Sequence, residues 1–509
     1  MSAVIDVATT TLDRSPVLDD RSLFGHPKGL GLLFVVEMWE RFSYYGMRAL
    51  LVLYLVNYLQ WPDAQATHLY GVYTGLVYLT PLFGGYLADR FIGTRRSLVI
   101  GAIIIALGHF ALAFEGMSTF YLGLALIIIG TGFFKPNVST MVGQLYPEGD
   151  PRRDSGFTIF YMGINLGAFL APLVCGYLGQ KVGWHYGFGA AGVGMVLGLL
   201  IYLWGRNRYL PGIGLPGTNS PNNAAAVGAA GVAKTPGMGA VPGIVGAIIG
   251  GVLAYLGNAS WLPIIMSVVA GGTVGATLAN THGEERKRVI ALFLVFFFVI
   301  FFWMAFEQAG SSMNLYADRY TNLNVGSFTI PSSWFQSVNS LFILTFAPIF
   351  GLLWVKLGSR GKEPSTPMKM VLGLILLGIG FLFLVFGSKS VDACVAQFGK
   401  GAAQCAVANP MWLVLAYAFH TWGELCLSPV GLSYVTKVAP AKFVSLLMGA
   451  WFMSSAAANY LGGWLAGRTE TIESQSKFFT IPVATSIGAA ILLLLLVPYL
   501  KRLTSSVKA

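Results

Sequence analysis

The sequence predicts an all-α integral membrane protein made of two six-helix bundles with two additional helices between them. Three observations carry this. Of 509 residues 55% are hydrophobic and only 10% charged, against ~25% charged in soluble domains. Apolar runs long enough to cross ~30 Å of hydrocarbon recur along the whole chain. The order of short motifs in the first half also returns in the second.

Taken in order, a polar tail over 1–29 mixes both signs of charge and has no basic region leading into an apolar run. No cleavable signal is expected, and the first span serves as its own insertion signal. Six spans follow at 30–60, 66–88, 97–115, 119–145, 155–180 and 185–204, forming a first bundle over 30–204. The segment 205–287 opens with a linker rich in Gly, Pro, Asn and Ala (PGIGLPGTNSPNN). Two weaker, Gly-rich spans follow it, about 242–256 and 261–280. The second bundle, 288–503, holds spans at 288–318, 332–357, 367–388, 410–436, 442–467 and 478–500, and 504–509 is a short tail.

Most of the 32 Lys and Arg residues, Arg90, Arg95, Arg152, Arg153 and Arg286 among them, fall on inner segments if the N-terminus is inside. That bias places both termini in the cytoplasm. It also accounts for the net charge of +11 without a nucleic-acid partner. Cys175 and Cys426 lie in spans and read as small apolar fillers. Cys394 and Cys405 share a loop, where a disulfide forms only in an oxidising compartment.

The internal repeat rests on paired signals. PLFG at 81–84 is followed by Gly93 and Arg95, and PIFG at 348–351 by Gly358 and Arg360. Lys135-Pro136 leads to Pro147 as Ser428-Pro429 leads to Pro440. Two related halves predict a site near the midplane between them. The run GGYLADRFIGTRR (84–96) resembles the loop after the second helix in the major facilitator superfamily, which serves gating and packing.

Charges inside the apolar spans mark that site. A central Asp, Lys or Arg costs roughly 2.5–3.5 kcal/mol on insertion scales and is kept where it faces protein or water. The first span carries Glu37, Glu40, Arg41 and Arg48 in and after EMWERFSYYG. Glu37 and Arg41, four apart, share a face. Lys135, Glu307 and Glu424 lie mid-span on three further helices, with Asn165, Asn339 and Ser455 as polar groups in apolar surroundings. A purely structural role in fixing helix packing is the alternative, but seven charged residues on four helices in both halves weigh against it. The first half offers three cations and two carboxylates, the second half two carboxylates. The complementary solute is a zwitterion, its carboxylate toward the first half and its ammonium toward the second. Tyr45, Tyr78, Trp303 and Trp451 are candidates to line side-chain pockets.

Enzymatic readings find little support. The six histidines show no HExxH or similar ligand spacing, and there is no nucleophile elbow and no Walker motif. No metal, cofactor or ATP is expected, and the 63 glycines read as close helix packing.

EMWERFSYYG fits the ExxERFxYYG signature of the proton-coupled oligopeptide transporters, the POT or peptide transporter family. The chain resembles that family further in GTGFFKPNVS (130–139), FYMGINLGAF (160–169), FWMAFEQAGSSMN (302–314) and GELCLSPVGLSYVTKVAP (423–440), across all twelve core spans. The extra helix pair resembles bacterial members. The resemblance implies a major facilitator fold in the bacterial inner membrane and import of di- and tripeptides, driven by a proton gradient with no cofactor. Its implied partners are the peptide, protons and membrane lipid, and its implied state is a monomer.

By motif position, the resemblance assigns Arg41, Tyr45 and Lys135 to the peptide carboxylate and Asn165, Asn339 and Glu424 to its amino terminus. Tyr78, Trp303, Trp451 and Ser455 would shape side-chain pockets, while Glu37, Glu40, Arg48 and Glu307 would couple protons. The implied scheme pairs Arg48 with Glu307 to close the outer side and Lys135 with Glu424 as a second cross-bundle pair. Glu37 would set whether Arg41 is free for substrate. One departure stands out: where some members carry a proton-linked His on the second helix this chain has Gly71, and His68 is expected near the outer edge, in solvent. The alternatives are a related secondary carrier of another small anion or zwitterion, and a nontransporting peptide sensor.

Overall fold

The computed structural model describes residues 20–147, 149–215, 240–256, 260–400, 402–472 and 474–506. Most of the N-terminal tail, most of the linker before the extra pair and the last three residues lie outside the described residues.

The first bundle comprises α1 (Lys28–Leu53), α2 (Asp63–Leu87), α3 (Thr94–Leu112), α4 (Met117–Gln144), α5 (Arg153–Tyr177) and α6 (Trp184–Tyr209). The extra pair is α7 (Ala240–Leu256) and α8 (Trp261–Ala279). The second bundle comprises α9 (Gly283–Phe306), the short α10 (Ser312–Tyr320), α11 (Phe335–Ser359), α12 (Thr366–Phe398), α13 (Met411–Val438), α14 (Val444–Gly467) and α15 (Gln475–Leu503). Among the described residues nine helices are long and apolar enough to cross a membrane by length and composition alone. Helix α7 is too short for that group, and α1, α2, α13 and α14 also fall outside it. These four carry much of the polar machinery, and each polar group lowers the hydropathy of its helix.

Where the sequence predicts one span over 288–318, the structure breaks the helix. After Phe306 a 3-10 turn runs over Glu307–Gly310, Ser311 leaves helical geometry (φ −125°, ψ −97°), and α10 restarts at Ser312. The reason is local. Gly310, Ser311 and Ser312 are poor helix-interior residues, and the side chain of Gln308 ties the turn to Gly462 O (3.0 Å) and accepts from Ser312 Oγ (2.6 Å).

Helix α1 packs on α5 and α6 within the first bundle, and α12 on α13 and α15 within the second. The bundles meet where α2 crosses α14 and α5 crosses α11. Glycine makes the first crossing close: a Cβ at Gly71 would lie 2.9 Å from Gly463 Cα and 3.0 Å from Asn459 O. Backbone meets backbone there, and a side chain at Gly71 has no room. The extra pair is likewise zipped through glycine, Gly246 against the backbone of Gly271 and Gly250 against Ser267. From it Leu262 and Met266 of α8 pack with Leu79 of α2 and Met453 and Ala456 of α14, touching both bundles.

Chain direction defines two ends. Helix α1 starts and α15 finishes at the terminus end; the opposite, loop end carries the turns at 59–62 and 321–331. At the loop end the structure holds a Cys394–Cys405 disulfide.

Among the described residues, the hydrogen bonds and ion pairs joining the bundles all lie toward the loop end. Arg319 grips Asp63 through both guanidinium nitrogens (2.6 and 2.8 Å). Asn57 donates to Asp318 (2.8 Å), Gln180 to Ser332 (2.8 Å), Trp334 to Leu173 O (3.1 Å) and Ser337 to Phe169 O (2.7 Å). Toward the terminus end α11 is bare, with Leu352 and Val355 each 72% exposed. The molecule is closed at its loop end and parted at its terminus end.

Candidate functional site

The charged residues singled out by the sequence converge between the bundles. On α1, Glu37, Glu40, Arg41 and Arg48 are all buried. Arg41 binds Glu40 through two parallel bonds, Nε to Oε2 (2.5 Å) and Nη2 to Oε1 (2.7 Å), and lies 3.3 Å from Glu37. Glu40 is thus the closer partner, although helical spacing favours Glu37. The long Arg side chain folds back onto its neighbour, and a bidentate pair is the stronger geometry. Glu37 keeps one carboxylate oxygen without a partner in the structure. Gly167 of α5 backs this motif, since a Cβ there would come within 3.0 Å of Arg41 Cβ. On the opposite face of α1, an apolar hollow of about 400 Å³ lined by Met38, Trp39, Phe42 and Val193 has no charged residue in its lining.

Further along α1, Arg48 pairs through Nη2 with Glu307, the first residue of the turn after α9. This ion pair crosses between bundles, and both partners are buried. The Arg48 guanidinium lies 5.5 Å from the Tyr45 ring. The pair expected to close the outer side is formed.

The second expected cross-bundle pair is absent. Lys135, half-buried beside Pro136 in α4, sets its ammonium 4.4 Å from the centre of the Tyr78 ring, a cation–π contact. Glu424 instead accepts from Asn339 Nδ2 (3.1 Å), which also donates to Thr421 (3.0 Å). The physical reason is distance: the bundles are parted toward the terminus end, so Lys135 makes no ion pair with any described carboxylate. Each partner settles on its own bundle, the cation on an aromatic face and the carboxylate on an amide.

The remaining candidates sort by wall. Asn165 of α5 is buried and donates to Tyr161 O (3.0 Å). Trp303 is half-buried, edge-on to Phe302 and Phe306 at 5.4 and 5.2 Å, with its indole N–H unpartnered in the structure. Trp451 is buried with its ring seated on Gly431 and edge-on to Phe296 (6.1 Å). Ser455, one turn along α14, is buried, and its carbonyl accepts from Asn459 (2.9 Å). His68 is exposed and meets Tyr460 edge-on at 5.8 Å. Sequence reasoning missed Tyr70, Tyr161 and Thr421, polar residues inside apolar helices, and Tyr70 and Thr421 are revealed by their neighbours alone. A usable signal existed for Tyr161, one helical turn before Asn165.

The arrangement leaves Arg41 and Lys135 on the first bundle and Glu424 with Asn339 on the second. It can hold a small molecule carrying a carboxylate and an ammonium. Of the two ion pairs that join the bundles among the described residues, Arg319–Asp63 at the loop end and Arg48–Glu307, a proton on Glu307 can break the second. Among the described residues no group of three or more His, Cys, Asp or Glu side chains is placed to hold a metal ion.

Comparison with known proteins points the same way. The family described as the POT family matches residues 95–483. The uncharacterized transporter YclF of Bacillus subtilis is 44% identical over 494 residues, covering 95% of this chain and 96% of that protein. A di-/tripeptide transporter of Lactococcus lactis is 37% identical over 513 residues, covering 96% and 99%. A crystal structure of a mutant POT peptide transporter in complex with alafosfalin superposes with a TM-score of 0.77 at 38% identity, covering 96% of this chain and 98% of the other.

Proposed function

The chain belongs to the POT family, and from that premise we propose that it is a proton-driven symporter importing di- and tripeptides across the bacterial inner membrane by alternating access. The observation that carries this is the buried Arg48–Glu307 pair joining the two bundles, with Lys135 and Glu424 left on facing walls without each other. The terminus end faces the cytoplasm, as the distribution of Lys and Arg requires, so the structure is inward-facing. Residues 30–204 and 288–503 rock as two bodies around the site, 205–287 links them, and the carrier works as a monomer.

In this scheme the peptide carboxylate meets Arg41, Tyr45 and Lys135, and its ammonium meets Glu424, Asn339 and Asn165. Tyr78, Trp303, Trp451 and Ser455 border the side chains. Ionised Glu307 holds Arg48 and keeps the outer side shut. A proton arriving at Glu307 removes one charge of the pair, and the outer contacts can then part. Glu40, with Glu37 beyond it, competes with the peptide carboxylate for Arg41, so a proton on either carboxylate frees the guanidinium for substrate.

Uptake of labelled dialanine into proteoliposomes, with and without an inward proton gradient, tests the proposal. Accumulation that requires the gradient and is blocked by unlabelled di- and tripeptides is the predicted result. Equilibration without accumulation contradicts the coupling, and no uptake by folded protein contradicts the substrate.

A further inference from the structure

Arg48 has a second buried partner that the pattern of charges does not disclose. Its Nε donates to the hydroxyl of Tyr70 at 2.6 Å while Nη2 holds Glu307. Tyr70 is 1% exposed and stands on α2, in the same bundle as Arg48. The phenol continues across the seam: its hydroxyl rests on Gly310 of the other bundle, where any Cβ would overlap it. Gly310 ends the turn that Glu307 begins. Its backbone does not lie in the left-handed region, so the glycine is required for space rather than for conformation.

Resting on the symport reading above, we infer that Tyr70 is a positioning residue for proton coupling. Its oxygen aligns the Arg48 guanidinium with Glu307 and retains Arg48 on the first bundle once Glu307 is protonated, and Gly310 is the seat that admits it. A guanidinium has more donors than one carboxylate can satisfy. With Glu307 ionised, Tyr70 takes the Nε–H that would otherwise be buried without an acceptor. With Glu307 protonated, Tyr70 remains beside Arg48 because both belong to one bundle, while Glu307 departs with the other. Arg48 is then not left free to recapture Glu307.

The other charged or titratable groups facing this trio are Tyr44 and Tyr45 from α1, Tyr73 and Tyr78 from α2, Lys135 from α4, and Tyr417 and Glu424 from α13. Among the described residues neither Lys135 nor Glu424 bonds Tyr70. A change confined to the Tyr70 hydroxyl therefore reads its contact with Arg48.

The test is the pH profile of gradient-driven dialanine uptake for wild type, Tyr70→Phe, Gly310→Ala and the double variant, each normalised to dialanine counterflow in the same vesicles. Losing the phenol oxygen, or unseating it, lets Arg48 swing from Glu307, and the less stabilised carboxylate takes up its proton at higher pH. Each single variant should move the midpoint up by about 1 pH unit, a tenfold change in proton affinity. The double variant should move it no further, because both changes act on one bond. If Tyr70→Phe abolishes transport, Gly310→Ala, which keeps the phenol and only displaces it, carries the same expectation. Unchanged midpoints, or shifts that add, overturn the inference. A wild type without gradient-driven uptake overturns the symport reading on which it rests.

Discussion

Lys135 and Glu424 show how conformation sets partnership for single residues. Both sit in helices that the sequence places on opposite walls, yet each bonds within its own bundle because the walls are apart. In the proposed scheme, a peptide spanning them would exchange the cation–π contact and the amide bond for its own termini. Lys135→Ala should therefore raise the KM for dialanine about 10- to 100-fold, the loss of one charge-assisted hydrogen bond, with far less effect on a peptide analogue lacking the carboxylate. Uptake titrations with both compounds check this. Charged residues were legible from sequence because a charge in an apolar span is costly enough to demand a reason. Tyr70 and Thr421 were not, since a phenol or hydroxyl in a span is usually packing, and only the neighbours of Tyr70 show that it holds Arg48.

Helices were legible as lengths of apolar sequence, and their contacts were not. The break after Phe306 is hidden by continuous hydropathy on either side, and it matters because it sets Glu307 at the head of a turn rather than inside a helix. The crossing of α2 and α14 was equally invisible. Gly71 reads from sequence as a missing His, whereas in the structure it is the point where two bundles touch through backbone. Adding bulk there acts on the whole crossing. Gly71→Leu should push the helices from the ~8 Å toward the ~10 Å end of helix–helix separations and favour the state open at the loop end. Distances between spin labels on exposed His68 and Trp464 report it, with a longer mean distance in the variant than in the chain that keeps Gly71.

For the whole molecule, the internal repeat was legible in paired motifs, but the conformation was not, because both faces of an alternating carrier are written in one chain. The structure resolves that ambiguity through the location of its bonds. Polar contacts between the bundles gather at the loop end, while α11 is bare toward the terminus end. Exposed pairs such as Lys287–Glu284 contribute little. The Arg48–Glu307 pair differs in being buried, so removing one charge leaves an uncompensated partner costing ~3–5 kcal/mol unless the site opens to water. In the proposed scheme this penalty would supply the drive: with Glu307 ionised, closure is stable, and once Glu307 carries a proton, opening relieves the unpaired Arg48.

The central claim is that Glu307 couples the proton to the movement of the bundles without itself binding peptide. Glu307→Gln in proteoliposomes separates these roles when gradient-driven accumulation and peptide counterflow are measured on the same preparation. Loss of pH-dependent accumulation with counterflow retained is the predicted result. Full gradient-driven accumulation in Glu307→Gln would contradict the account.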